Sequence, residues 1–297
     1  MAPTDKIQVH NAVLFVNTEK ENADAAAAEI KKELAGRKVK TSIFYMDECT
    51  GSLPKGRWDI AFSLGGDGTV LYAARMLSKS NTPILPLHLG TLGFIANVER
   101  NEWLSVYEKW LLGEAKISPR CMLDVNVRHE KCSVYRNTCL NDAVISSMGI
   151  AKLINLGVKT ETAPGKFTEL GYYRSDGLII STPTGSTAHS MAAGGPLLDP
   201  EMEAQILSPI CPFTLSNRPM VLPSRQILLI TVEKEQRSGV LLTIDGQDTH
   251  ELKPDDTVTV CHSQHYTQLI TGSNTAYYSA LRDKLGWCGK RAENNNA

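Results

Sequence analysis

The sequence predicts an α/β N-terminal domain, a parallel sheet covered by helices, followed by a β-rich C-terminal domain. Two textures carry that expectation. Up to about residue 118, strand-length apolar runs alternate with helix-length segments, the order that builds a parallel sheet. From Pro119 the chain turns to short alternating runs broken by Gly, Pro and Asn, with few helical patterns. A third observation concerns the end: after Gly272, "NTAYYSALRDKLGW" reads as one more helix, followed by the polar tail "KRAENNNA". The expected boundaries are 1–118, 119–271 and 272–297, the last segment returning to the first domain.

Each element has its own signal. "AVLFVN" is a short apolar strand, and "EKENADAAAAEIKKELAGR" a helix rich in Ala, Glu and Lys that is closed by Gly36. "KTSIFYM" and "WDIAFSL" are strands, and "TVLYAARMLSKS" is a helix with Val70, Leu71, Ala74 and Leu77 on its apolar face. "PILPLHLG" is a strand and "RNEWLSVYEKWLLGE" a helix whose Trp103 and Trp110 pack on the sheet. In the second domain "CMLDVNVRHE", "YRNTCLNDAVISS", "KLINLGVKT", "GLIISTP", "QILLITVE", "GVLLTID" and "DTVTVCHS" are the strand candidates. "KTETAPGKFTE" reads as a solvated loop.

Composition narrows the class. The chain has 297 residues with 31 basic and 32 acidic side chains and a formal net charge of -1, so nucleic acid is not an expected partner. The apolar stretch "PILPLHLGTLGFIA" is too short to span a bilayer, and "MAPTDKIQVH" lacks the pattern of an export signal. Seven cysteines with no C-x-x-C fit reduced thiols. The expectation is a soluble, cytoplasmic protein with no membrane partner.

The chemistry concentrates in "FSLGGDGTV", where Gly65, Gly66 and Gly68 stand between a strand and a helix. In an open parallel sheet that is the ligand crevice, and glycines let backbone N–H groups approach phosphate. The spacing matches neither G-x-x-x-x-G-K-[ST] nor G-x-G-x-x-G, and alone it fits an ordinary tight turn equally well. Asp67 changes the balance. A carboxylate among phosphates is costly unless it binds a metal or takes a proton, and phosphoryl transfer to an alcohol uses such a proton acceptor. Gly65, Gly66, Gly68 and Thr69 are therefore the candidate phosphate contacts of a phosphoryl donor, with Asp67 beside them. The hydroxyl-rich "STPTGSTA" suits a loop donating hydrogen bonds to a polar ligand, although an ordinary Ser/Thr turn reads the same. Asp176-Gly177 has the form of a hairpin turn, but beside Arg174 ligand contact is the favoured reading.

Taken with "LNDA", "YRSDGLIISTPTGSTAHSMAAGGP", "LGTLGF", "TLSNRP", "IDGQ" and "LRDKLGW", the loop gives the chain a resemblance to the NAD kinase family from about Val13 to Trp287. The resemblance implies a Rossmann-like α/β domain joined to a β-rich dinucleotide-binding domain. It implies transfer of phosphate from ATP to the 2′-hydroxyl of the adenosine ribose of NAD, giving NADP, with Asp67 as proton acceptor. Carried over by position, the NAD-binding set is Asp67, Gly68, Phe94, Asn141, Asp142, Lys152, Arg174, Asp176, Thr187, Ala188, His189, Ser190, Met191, Ala192 and Gln247. His189 stands where Tyr is commoner in the family, and Asp142 where Glu is a frequent alternative. The resemblance also implies a divalent cation, Mg²⁺, accompanying ATP, and a homodimer or homotetramer whose neighbouring subunits complete the sites. Two alternatives stay open: another G-G-D-G-T kinase acting on a lipid or sugar, and a non-catalytic NADP-binding sensor. "CHSQH" brings Cys261, His262 and His265 close in sequence, but with no second ligand pair no protein metal site is expected.

Overall fold

A computed structural model describes residues 6–46, 56–150, 152–272 and 276–286. The expected polar tail, together with Cys49, Trp287 and Cys288, lies outside the described residues. The chain divides into two compact units. One draws on the described residues within Met1–Met76, Thr82–Ser118 and Gln268–Ala297, the other on Leu77–Asn81 and Pro119–Thr267.

In the first unit β1 (Asn11–Val16), α1 (Ala23–Gly36), β2 (Lys40–Tyr45), β3 (Ile60–Gly65), α2 (Asp67–Leu77), β4 (Ile84–His88), β5 (Val98–Glu99) and α3 (Trp103–Leu111) follow in order. β2, β1, β3 and β4 lie side by side, every pair parallel. β3 is buried along its whole length and β1 at all but its first residue, as strands covered on both faces must be. α1 covers the sheet with Ala23, Ala26, Ala27, Ile30 and Leu34, spaced at helical intervals. α3 does so with Trp103, Val106, Tyr107 and Trp110, and its Trp103 meets Phe62 of β3 edge to face at 5.9 Å between ring centroids.

β6 (Lys116–His129) leads into the second unit. There follow β7 (Cys132–Cys139), β8 (Asp142–Ser147), β9 (Ile154–Ala163), β10 (Lys166–Ser175), β11 (Gly177–Ser181), a short 3-10 turn at Thr184–Thr187, α4 (His189–Ala192), β12 (Ala204–Ile210), β13 (Met220–Pro223), β14 (Leu228–Val232), β15 (Val240–Ile244), β16 (Asp248–Leu252) and β17 (Thr257–Thr271). α5 (Ala276–Leu285) closes the described chain within the first unit. One sheet of the second unit runs β10-β9-β14-β17, with β6 and β7 continuing it; the other is antiparallel, β13-β12-β11-β8-β15-β16. Their facing sides share one apolar core, in which Val158, Ile230 and Val258 of the first sheet join Ile145, Ile180 and Leu242 of the second. β14 and β15 alternate buried and half-buried positions, the period-2 pattern of a strand with one face on a core.

"KTETAPGKFTE" is not a loop. Its arms are the paired ends of β9 and β10, joined by a tight turn in which Gly165 takes φ +73°. The segment is polar because these strand ends face solvent, and strand pairing needs only the backbone. Among the described residues no helix is long and apolar enough to cross a membrane.

Candidate active site

The α/β unit forms its part of the site where β3 gives way to α2. Gly65 ends β3, Gly66 caps the helix and Asp67 opens it. The backbone N–H groups of Thr69 and Val70 donate to Gly66 O at 3.0 and 3.3 Å. The two leading glycines do different work. A Cβ on Gly65 would lie 2.1 Å from Thr69 Oγ1, so the turn requires glycine there, whereas a Cβ on Gly66 would have nothing within 4 Å. Gly66 faces open space.

Asp67 is held by a second loop. Its Oδ2 accepts from the backbone N–H of Phe94 at 3.0 Å, and its Oδ1 from Ile95 at 3.1 Å and Ala96 at 2.8 Å. That loop is folded by a bond from Gly93 N–H to Ala96 O at 2.9 Å. Gly93 is the glycine that permits the approach, because a Cβ there would come within 1.9 Å of Asp67 Oδ1. A carboxylate offers about four lone-pair positions. With two donors on Oδ1 and one on Oδ2, the open position is on Oδ2. Asp67, Gly65, Gly66, Gly68 and Thr69 line a polar cavity of about 380 Å³ together with Gly90 to Gly93. Phe94 packs its ring against the Lys284 ammonium, 4.8 Å from the centroid.

The β-rich unit assembles a second cluster around "LNDA". Asn141 and Asp142 are buried, and Asp245 fixes the turn they form. Its carboxylate accepts the backbone N–H groups of Leu140 at 3.1 Å, Asn141 at 2.7 Å and Asp142 at 3.2 Å. Asp245 and Gly246 both take positive φ, 51° and 68°, between β15 and β16. They are the central residues of a β-turn closed by Gln247 N–H on Ile244 O, within a three-residue connection from Ile244 to Asp248, and Asp-Gly suits their positive φ. Asp176-Gly177, which has the same two letters, is no such turn: Gly177 is the first residue of β11, and a Cβ on it would lie 2.8 Å from Ile145 O. Burial, and next the charge of Asp245, push the Asp142 carboxyl up to about 7.

The hydroxyl-rich loop locks onto the same turn. Thr182 Oγ1 donates to Leu140 O at 2.5 Å and Ser181 Oγ to Asn141 O at 3.1 Å. Gly185 passes so close that a Cβ on it would lie 2.2 Å from Asn141 O. Ser186 bonds both the N–H and the O of Leu198, Thr187 bonds Thr184 O, and Ser190 meets Ser208 Oγ at 3.1 Å. The expectation of a loop rich in ligand-facing hydroxyls is therefore corrected: most point inward and hold the fold. Asn141 Oδ1 and Thr184 Oγ1 are the exceptions, buried and without a partner among the described residues. A buried acceptor left so is costly, and a donor from a ligand or a water would relieve it.

The remaining expected positions are spread through the same unit. Ala188 caps α4, and His189, Ser190, Met191 and Ala192 form it, with His189 exposed. Gln247 follows the Asp245–Gly246 turn and donates its N–H to Ile244 O at 2.9 Å. Arg174 lies over the Phe213 ring at 4.8 Å and lines a cavity of about 330 Å³ with Tyr172, Asn155 and Arg237. Asp176 N–H donates to Ile210 O at 3.0 Å, and Lys152 is exposed beside Gly149. Asp245 and Gly93 escaped the sequence reading. The signal for Asp245 was the Asp-Gly pair of "IDGQ" itself, while nothing local marks Gly93 as a neighbour of Asp67.

Comparison with known proteins is consistent along the chain. The family model described as the ATP-NAD kinase N-terminal domain matches residues 7–115, and that of the ATP-NAD kinase C-terminal domain matches residues 140–272. An NAD kinase of Treponema denticola is 38% identical over 285 residues, covering 96% of this chain and 99% of that one. One from Geobacter sulfurreducens is 40% identical over 229 residues, or 77% and 78%. Among solved structures, yeast NADH kinase complexed with NADH superimposes with a TM-score of 0.81 at 23% identity, covering 96% of this chain and 90% of that one. An NAD kinase from Archaeoglobus fulgidus in complex with ATP gives 0.69 at 22%, covering 94% and 100%. At these identities the two structures speak for the fold.

Proposed function

This chain belongs to the ATP-NAD kinase family, and from that premise we propose that it transfers the terminal phosphoryl group of ATP to the 2′-hydroxyl of the adenosine ribose of NAD, with Asp67 as proton acceptor. The supporting observation is the position of Asp67: first residue of α2, in the wall of a polar cavity built on the Gly65–Thr69 loop, with one acceptor position open on Oδ2. The ribose oxygen forms a bond to the terminal phosphorus as the bond from that phosphorus to the bridging oxygen breaks. ADP leaves, and the hydroxyl proton passes to Oδ2. The three backbone donors hold the carboxylate in one orientation, so its open lone pair needs no reorganisation.

Gly65, Gly66, Gly68 and Thr69 are assigned to the ATP phosphates, and Gly66, with open space at its Cα, is the position where a phosphate would sit. Asn141 and Asp142 are assigned to NAD. Asn141 Oδ1 awaits a donor, and a buried pair of this kind is satisfied by one pose of the dinucleotide and not by others. Phe94, Lys152, Arg174, Asp176, residues 187–192 and Gln247 complete the assigned NAD set. Among the described residues no group of three His, Cys, Asp or Glu side chains could hold a metal ion. The described residues therefore supply no such cage for Mg²⁺. A cation would arrive on the triphosphate, and no step is assigned to it.

The test is a labelled phosphate-transfer assay that varies donor (ATP, polyphosphate) and acceptor (NAD, NADH, diacylglycerol). Label recovered in NADP from ATP is the expected result. Label in the lipid alone, or in no acceptor, would overturn the proposal.

A further inference from the structure

The loop that presents Asp67 has no cation of its own: Gly65 to Thr69 supplies glycines, one acid and one hydroxyl. Phosphoryl transfer places negative charge on the moving group, and kinases answer it with a positioned lysine or arginine. The cation must come from another part of the chain. Two lysines stand in the wall of the cavity beside the loop, Lys20 and Lys284. Lys20 lies in the turn between β1 and α1, pinned by a bond from its backbone N–H to Asn17 O at 3.1 Å. Lys284 comes from the last turn of α5, so two remote segments reach one cavity.

Neither ammonium is ion-paired with a described carboxylate. Lys284 rests over the Phe94 ring at 4.8 Å, a solvent-exposed cation–π contact that is weak and readily exchanged for a phosphate oxygen. Glu19 and Asp67 share the same wall, so without the lysines the cavity would repel a triphosphate. The Phe94 ring also ties the lysine to the chemistry, because the neighbouring backbone of the same loop holds Asp67.

We infer that Lys284, with Lys20 in the same wall, binds the polyphosphate chain of the donor at the Gly65–Thr69 loop. Lys284 leaves the Phe94 ring to contact the transferred phosphoryl group. It remains an ammonium throughout, forming no covalent bond and moving no proton. The inference rests on the reading of this loop as the donor site.

The experiment compares wild type, Lys284→Met, Lys284→Arg and Lys20→Met by calorimetry with inorganic tripolyphosphate, by ATP kinetics at saturating NAD, by NAD titration and by melting temperature. Lys284→Met should lose about tenfold to hundredfold in kcat/KM for ATP and bind tripolyphosphate about tenfold more weakly, with NAD affinity and melting temperature held. Lys284→Arg should recover most of the loss, and Lys20→Met should raise KM for ATP more than it lowers kcat. Wild-type tripolyphosphate affinity and ATP kinetics in Lys284→Met, or a loss confined to NAD affinity, would overturn the inference while leaving the donor-site reading intact. A wild-type chain that neither binds tripolyphosphate nor phosphorylates NAD would overturn both.

Discussion

Gly93 shows how one missing carbon can govern a reactive group. Its hydrogen atom faces Asp67, and any Cβ would collide with Oδ1. Gly93→Ala should push the 94–96 backbone off the carboxylate, releasing three donors and an orientation together. We expect kcat to fall at least about tenfold, with some loss of melting temperature alongside, because Gly93, Ile95 and Ala96 are buried. Unchanged kcat in a folded Gly93→Ala protein would show that this orientation does not matter. Asp142 gives a residue-scale prediction in pH. Its folded value of about 7 lies above its ordinary value of 3.8. Between those values the folded chain keeps a proton that the unfolded chain has lost, so stability falls as pH rises through the window. Asp142→Asn removes the titration, and melts from pH 4 to 8 should show the wild type losing stability relative to the variant. Parallel curves would contradict the assignment.

At the level of elements, the β3–α2 junction and the β15–β16 hairpin each make a separable claim. Gly65→Ala should destabilise the protein, whereas Gly66→Ala should melt like wild type yet raise KM for ATP, because of these two glycines Gly66 is the one with open space beside it. If both variants lose stability equally, Gly66 is a turn residue and no more. Asp245→Ala would orphan three buried N–H groups, and at about 1–3 kcal/mol for each unsatisfied group it should cost at least about 3 kcal/mol. Denaturant titration checks the figure. The elements were legible where one period dominated. Fully buried β3 reads as a continuous apolar run, β14 and β15 alternate, and α1 and α3 repeat at helical spacing. "KTETAPGKFTE" was lost because its paired ends are polar, and the hydroxyls of "STPTGSTA" were misdirected because composition cannot say which way a side chain points. The Asp67 loop was legible from an acid set among glycines. Gly93 and Lys284 were not, since each acts on residues far away in sequence, and Asp245 showed its Asp-Gly turn but not the three N–H groups it holds.

Two units, each with its own core, share the expected chemistry: phosphate contacts and proton acceptor in the α/β unit, and most dinucleotide contacts in the β-rich one. The family resemblance implies a homodimer or homotetramer, and β13, at the edge of its sheet with Met220 and Val221 exposed, leaves backbone and apolar surface uncovered. Light scattering at assay concentration should find an oligomer, and an active monomer would contradict that expectation. The central claim reduces to one group, and Asp67→Asn isolates it. The asparagine carbonyl can take the Oδ1 place between the Ile95 and Ala96 donors, leaving at Oδ2 an amide that can accept neither a proton nor the Phe94 N–H bond. The decisive measurement is kcat for NADP formation in Asp67→Asn, with NAD affinity and melting temperature followed alongside. The account predicts a fall of about a hundredfold to ten-thousandfold, with NAD affinity much less affected and the melting temperature lowered only by the loss of the Phe94 bond. Turnover near that of the wild type would contradict it.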